Sequence, residues 1–360
     1  MQAGRVAVWC SGVLPWLLIA CSSTPLLCPG EGQPAGMIRA PLTGAVSSPE
    51  YLKLAEEEIA AVVQIRIFDP VQGDATCSGT FVTSGWILSA AHCAPATAQA
   101  LEAYRMDTQG SVQHTWVVER IENHPALDLV LLQVTRDGPA FSPIATSSGL
   151  PPDLLGQRAQ LAGTGVSDSG ELGALQFSVT SIVDMSEHEL LVDAEGYAGA
   201  CRGDSGGPLL LRGPTGLPEV AGVLDRGNAS CFGTDTYIRT DVALDWVQSI
   251  VGEAEPAPAL CGQIDEQGSC FGQVAAHCDS GRLRSAACSQ PERCGWSNDD
   301  GGFRCVHPEH DPCDGFSELG ACHDGDAFSC SSGHLRQNAC SRCGASCVIS
   351  PKSGKAQCVL

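Results

Sequence analysis

Twenty cysteines in a chain of 360 residues, unevenly placed, limit this sequence more than any other feature: thirteen of them follow Leu260. So many thiols do not persist in a reducing cytosol unless metal holds them, so an oxidising compartment is expected. Cys261, Cys270, Cys278, Cys288, Cys294 and Cys305 are answered at nearly the same spacings by Cys313, Cys322, Cys330, Cys340, Cys347 and Cys358. Gly281-Arg282-Leu283-Arg284 is likewise answered by Gly333-His334-Leu335-Arg336. The recurrence predicts two tandem copies of one small module, over residues 261–306 and 307–360. Each copy has too few large apolar residues for a core of its own, so three disulfides per copy are expected to staple it. The spacing does not give their pairing. Zinc is the rival reading, prompted by Cys340, Cys343 and Cys347, but no paired Cys-x-x-Cys spacing recurs in both copies. No metal or other cofactor is therefore expected. Cys343 and Cys28 have no assigned partner.

The N-terminus agrees with export. Arg5 precedes an apolar run through Val13, Leu14, Trp16, Leu17, Leu18 and Ile19 that is too short for a membrane span, so residues 1–20 read as a signal. Leu18-Ile19-Ala20-Cys21 resembles a bacterial lipobox, which implies a lipid anchor on Cys21; Ser22 behind it is compatible with the outer membrane. Ordinary cleavage and secretion is the alternative. Residues 21–48, rich in Ser, Pro, Gly and Ala, read as a flexible tether, and Glu253 to Leu260 as a stiff linker. Twenty basic residues against 41 acidic ones leave a net charge of -21, which excludes nucleic acid as a natural partner and suits a soluble surface.

Between these lies residues 49–252, a domain of short apolar segments broken by Gly, Pro, Asp and Ser. Ser48, Pro49 and Glu50 signal a short helix to about Glu58. Strands are expected over Val62 to Phe68, Gly79 to Thr83, Trp86 to Ser89, Trp116 to Ile121, Leu129 to Val134, Ala159 to Gly163, Phe177 to Val183, Leu190 to Val192, Pro208 to Leu211 and Val220 to Leu224. Many short strands and few helical stretches indicate an all-β barrel or sandwich. One helix closes the region, with Asp241 as cap, Val242, Trp246, Val247 and Ile250 on one face, and Gly252 as stop.

Three local sequences in this region carry chemistry only when taken together. Cys201-Arg202-Gly203-Asp204-Ser205-Gly206-Gly207-Pro208 sets a serine in a glycine turn, which alone is no more than a tight turn into a strand. A serine needs a base and a pair of oxyanion-stabilising N–H groups before it acts as a nucleophile. Ser89-Ala90-Ala91-His92-Cys93, after Cys77-Ser78-Gly79, offers an imidazole; Leu127-Asp128-Leu129 offers a carboxylate at the head of a buried-looking strand. Alone, one is an ordinary core histidine and the other a turn residue.

In the order His92, Asp128, Ser205, with these flanking residues, the chain resembles the chymotrypsin/trypsin family of serine endopeptidases over roughly Ala61 to Gly252. The resemblance implies two six-stranded antiparallel β-barrels with the site between them. It implies Ser205 as nucleophile, His92 as base, Asp128 as its orienting carboxylate, and the N–H groups of Gly203 and Ser205 as oxyanion hole. It also implies the pairings Cys77–Cys93 and Cys201–Cys231, and a protein or peptide substrate. The C-terminal copies look like short cysteine-rich repeats appended to exported bacterial proteins, whose role the resemblance does not supply.

Several positions depart from the family. Gly199 stands where trypsin carries its specificity acid, while Asp235 stands opposite, where glycine is usual; a weak basic or mixed preference is expected. Asp225 and Arg226, before Gly227, replace the serine and tryptophan of the substrate-binding strand. No activation sequence precedes Ala61, so the usual ammonium partner of Asp204 has no visible source; Arg39-Ala40 is a poor cleavage match. A catalytically silent binding or adhesion protein acting through its repeats is the competing reading.

Overall fold

In the computed structural model, residues 49–151, 153–166, 173–252 and 258–359 are described. The expected signal, Cys21, Cys28, the tether and most of the linker lie outside them. Twelve strands form two closed antiparallel barrels of six, as the fold reading expected.

The first barrel contains β1 (Val62–Phe68), β2 (Ala75–Thr83), β3 (Trp86–Ser89), β4 (Ala100–Met106), β5 (Val112–Asn123) and β6 (Val130–Val134), closed in the order β1-β2-β3-β6-β5-β4. Its filling is continuous: Ile65, Phe81, Ile87 and Leu129 to Leu132 are buried, and Phe81 meets Trp116 edge-on at 5.0 Å. Burying each such side chain stabilises the barrel by roughly 2 kcal/mol. The strand β4 was absent from the expected set. Its sequence, Ala-Leu-Glu-Ala-Tyr-Arg-Met, is rich in helix formers, and only its pairing between β1 and β5 makes it extended.

The second barrel contains β7 (Arg158–Gly163), β8 (Gln176–Met185), β9 (Glu189–Asp193), β10 (Pro208–Arg212), β11 (Pro218–Arg226) and β12 (Thr234–Arg239), closed in the order β10-β11-β12-β9-β8-β7. Its centre is Leu161, Leu190, Val192, Leu209 and Tyr237.

The helix expected before β1 is shifted and shortened. Residues 50–53 form a turn, Lys53 takes the left-handed φ of 53°, and α1 runs only Glu56–Ile59. The reason is tertiary: Tyr51, Leu52 and Leu54 are drawn into the core, and Arg212 donates to the carbonyl of Leu52 from Nε at 3.1 Å. After a short turn at Asp241–Ala243, α2 (Leu244–Val251) closes the barrels and ends at Gly252, φ 80°. Val247 is buried and Trp246 and Ile250 pack on the core, but Val242 is 40% exposed because it lies in that turn and not on the helix.

Beyond residue 258 the chain forms small sheets: β13 (Ser269–Phe271), β14 (Val274–Asp279) and β15 (Arg282–Ala287) in one, β16 (Arg293–Ser297) and β17 (Gly302–Val306) in the next. The pattern then recurs as β18 (Ala321–His323), β19 (Asp326–Ser331) and β20 (His334–Asn338), followed by β21 (Ser346–Ile349) and β22 (Ala356–Val359). Disulfides join Cys261–Cys278, Cys270–Cys294 and Cys288–Cys305, and then Cys313–Cys330, Cys322–Cys347 and Cys340–Cys358. Both sets join first to third, second to fifth and fourth to sixth. This region packs against the barrels. The guanidinium of Arg212 stacks over Phe271 at 4.9 Å, Lys53 Nζ donates to Ser269 Oγ at 2.6 Å, and Val179 N–H donates to the Pro351 carbonyl at 2.7 Å.

Candidate active site

His92 sits in a single turn, Ala91–Cys93, at the end of β3. The strand is anchored by buried Trp86, Ile87 and Leu88, and a disulfide from Cys93 back to Cys77 on β2 fixes the turn to the barrel wall. Asp128 precedes β6, whose apolar run buries Leu129 to Leu132 and leaves the carboxylate at its mouth. His124 braces that loop, since its Nδ1 accepts the N–H groups of Ala126 and Leu127 and its ring packs edge-on against Trp246 at 4.9 Å. The two side chains meet. Asp128 Oδ2 lies 2.6 Å from His92 Nδ1, and Oδ1 accepts the His92 backbone N–H at 2.9 Å. Two contacts fix the ring in orientation as well as position.

This pairing shapes both protonation equilibria. The hydrogen bond to Asp128 raises the His92 pKa above its ordinary value, more than burial lowers it. Burial would raise Asp128, but its bonds to His92 outweigh this and carry it below the usual carboxylate range. A carboxylate held this way fixes the Nδ1–H tautomer and leaves Nε2 free to accept a proton.

Ser205 comes from the other barrel, on the turn before β10. Gly203 takes φ 96° and Gly206 φ 79°, conformations that a side chain opposes. At Gly206 space also forbids one: a Cβ would lie 2.1 Å from Ser89 Oγ and 2.5 Å from the Ser78 carbonyl. The close approach is useful. Ser78 N–H donates to the Ser205 carbonyl at 2.7 Å and Ser78 Oγ to the Gly203 carbonyl at 3.0 Å, so the serine turn is stitched to the strand leading toward His92. The disulfide Cys201–Cys231 ties its other side. Ser78 was not singled out from sequence; its position beside Cys77 was the available signal.

Asp204 is buried, 2% exposed. Its Oδ1 accepts Gly165 N–H at 2.8 Å and its Oδ2 Cys201 N–H at 2.9 Å. Burial outweighs these bonds and raises its pKa to about 7.

Beside Ser205 lies a cavity of about 540 Å³ with walls from Val166, Ala200, Leu224, Gly227 and Cys231. Of the positions expected to shape the pocket, Gly227 lines it. Gly199 is packed beneath, where a Cβ would meet the Cys231 carbonyl at 2.8 Å. Asp235 is also buried, its Oδ2 accepting Ala200 N–H at 2.7 Å and its Oδ1 Asn228 N–H at 3.1 Å. Burial raises its pKa to about 6. A carboxyl so engaged braces the two pocket walls and is not presented to a cation. Asp225 does not line this cavity; its carboxylate lies within 4.8 Å of that of Asp128 and of a His92 ring nitrogen.

Two closed six-stranded barrels, one bearing a carboxylate-held imidazole and the other a serine turn, are the fold class that the resemblance to chymotrypsin/trypsin-type proteins implies. The chain belongs to the trypsin family, whose model matches residues 56–247. It is 29% identical over 215 residues to serine protease filzig of Drosophila melanogaster, covering 49% of this chain and 12% of that protein. It is also 29% identical over 194 residues to an uncharacterized peptidase of Corynebacterium glutamicum (strain R), covering 50% of this chain and 66% of that protein. The chain thus spans less than two thirds of these relatives' lengths. A solved structure of HL collagenase aligns with TM-score 0.48 and 23% identity, over 58% of this chain and 99% of that one.

Proposed function

We propose that this chain is an exported serine endopeptidase that hydrolyses peptide bonds through an acyl-enzyme on Ser205. The observation that carries the reading is the doubly bonded Asp128–His92 pair, with Oδ2 to Nδ1 at 2.6 Å, on one barrel, together with a half-buried serine on a positive-φ glycine turn of the other. In this reading His92 Nε2 takes the Ser205 proton as Oγ adds to the scissile carbonyl. Asp128 stabilises the imidazolium, and the N–H groups of Gly203 and Ser205 receive the oxyanion. His92 then returns the proton to the leaving amine, and water repeats the cycle on the acyl-enzyme.

The pocket favours small, uncharged side chains before the cleaved bond. Arg202 and Asn228 are its polar members beside Ser205, the rest of its lining is apolar, cysteine or glycine, and the carboxyl beneath it, Asp235, is already engaged by two backbone N–H groups, so it offers no free carboxylate to a cation. This replaces the expected basic or mixed preference. Fluorogenic peptides differing only at that residue test it: Ala or Val is expected to exceed Arg in kcat/KM, and faster cleavage after Arg sinks the pocket reading. Covalent labelling by a fluorophosphonate, lost in Ser205→Ala, tests the enzyme itself. No labelling of the oxidised, processed chain would favour the silent binding protein.

Export is supported by the disulfide content, and no helix among the described residues is long and apolar enough to cross a membrane. Residues 1–20 serve as signal in this proposal and Cys21 as lipid anchor; radiolabelled palmitate incorporation, abolished in Cys21→Ser, is the expected result. Residues 49–252 form the peptidase domain and 261–306 and 307–360 two modules docked on it.

A further inference from the structure

Asp225 lies on β11 at an irregularity: Leu224 pairs with Tyr237 and Arg226 with Thr236, so Asp225 occupies an extra position between them. A bulge of this kind re-aims a side chain out of the barrel pattern. Here it brings a third titratable group to the pair already described. Carboxylate oxygens of Asp128 and Asp225 and a ring nitrogen of His92 all lie within 4.8 Å of one another. On its other side Asp225 is paired with Arg226, whose Nη2 reaches Glu189 Oε1 on β9 at 2.9 Å. The charged and titratable groups facing Asp225 are therefore His92 from the turn after β3, Asp128 from the loop before β6, its neighbour Arg226, and Glu189 through Arg226.

We propose that Asp225 is a positioning residue of the peptidase site, a second carboxyl that acts on His92 through Asp128 and whose own protonation is coupled to that of the imidazole. The proposal rests on the serine peptidase reading above. Two carboxylates this close, beside a neutral imidazole in a partly buried site, repel one another, so the pair tends to keep one proton. When His92 becomes cationic, as it does each time it takes the Ser205 proton, its charge offsets part of the repulsion and favours release of the pair's proton to solvent, which the pair takes back when His92 returns its own. The three groups titrate as a unit and not as independent sites. Arg226 opposes proton retention on Asp225, while Glu189 diverts part of the guanidinium charge away from it. The directions agree: burial leads in raising the Asp225 pKa against the effect of Arg226, and Asp225 adds to the forces raising that of His92. A serine at this position would bring no charge; Asp225 adds one whenever it is ionised, and can donate to Asp128 only when it is protonated.

The test uses the mature, oxidised protein in EDTA, so that no bound cation mimics the effect. Profiles of kcat/KM against pH, each normalised to its own plateau, are compared for wild type, Asp225→Asn and Asp225→Ser. Removing the second charge is expected to move the acid limb to lower pH in both variants, raising normalised activity at its foot by about threefold to tenfold. Superimposable limbs overturn the proposal. A second measurement needs no Asp225 variant: in Ser205→Ala, NMR of the His92 ring should show a broadened titration with more than one step, and a single simple titration overturns the coupling. Absence of fluorophosphonate labelling together with a stepped His92 titration would refute the peptidase reading and leave the coupling standing.

Discussion

Stability should fall as pH rises from 5 to 8, and Asp204 should account for much of the fall. Its carboxyl accepts two backbone N–H groups, yet its pKa is raised from 3.8 to about 7 because burial outweighs them. A raised native pKa means that the folded chain binds more protons than the unfolded one between those values. The stabilising effect of the protonated form is therefore present at low pH and lost as pH rises through the folded pKa. A shift of about three units corresponds to roughly 4 kcal/mol, of which about 2–3 kcal/mol disappears between pH 5 and pH 8. Asp235, raised to about 6 by burial, contributes in the same direction. The perturbation is Asp204→Asn, which keeps the volume and cannot titrate. Its absolute stability is expected to drop, since an amide NH₂ facing Cys201 N–H cannot accept; the slope is the quantity of interest. Urea unfolding of both proteins at pH 5, 6, 7 and 8, with disulfides intact, should give a variant flatter than wild type by about 2 kcal/mol or more across the range. If stability rises with pH in wild type and rises less in the variant, the reasoning fails. That outcome would mean that a cation holds Asp204 ionised in the fold.

Three further outcomes follow from packing. Gly206→Ala places a Cβ against Ser89 Oγ and the Ser78 carbonyl at positive φ, and should cost about 2–4 kcal/mol together with most Ser205 labelling; a wild-type melting temperature and labelling rate would contradict it. Arg212→Met leaves the Leu52 and Gly216 carbonyls without their buried donor and should lower stability by about 3 kcal/mol in calorimetry, more than Arg120→Met on the exposed face of β5. Cys77→Ser with Cys93→Ser opens a loop whose ends are 16 residues apart; a loss of about 3 kcal/mol and weaker probe reactivity are expected, and unchanged labelling would mean that the Asp128 bonds alone hold His92.

Much of the fold was legible because the barrels are built from alternation and from continuous apolar runs. Trp86 to Ser89 and Val62 to Phe68 are strands with the bounds their β-branched and aromatic residues suggest. The strand β4 was hidden because Ala, Glu and Met carry no extended preference of their own. The helix before β1 failed for the opposite reason: its capping signals are real, but burial of Tyr51 and Leu52 and the claim of Arg212 on the Leu52 carbonyl bend the chain out of it.

The same division runs through the site. Sequence by itself determined the serine turn, the imidazole and carboxylate candidates, the all-β class and the repeated cysteine framework, since each depends on residue type at short spacing; two barrels followed from the resemblance those motifs carry. Only the tertiary structure decided which cysteines join within each copy, that Asp204 and Asp235 spend their oxygens on backbone N–H groups, and that Asp225 turns toward Asp128. Those outcomes depend on which groups are brought within hydrogen-bond distance and removed from water, and residues such as Gly165, Cys201 and Asp204, or Glu189, Arg226 and Asp128, acquire that proximity only when the strands close into barrels.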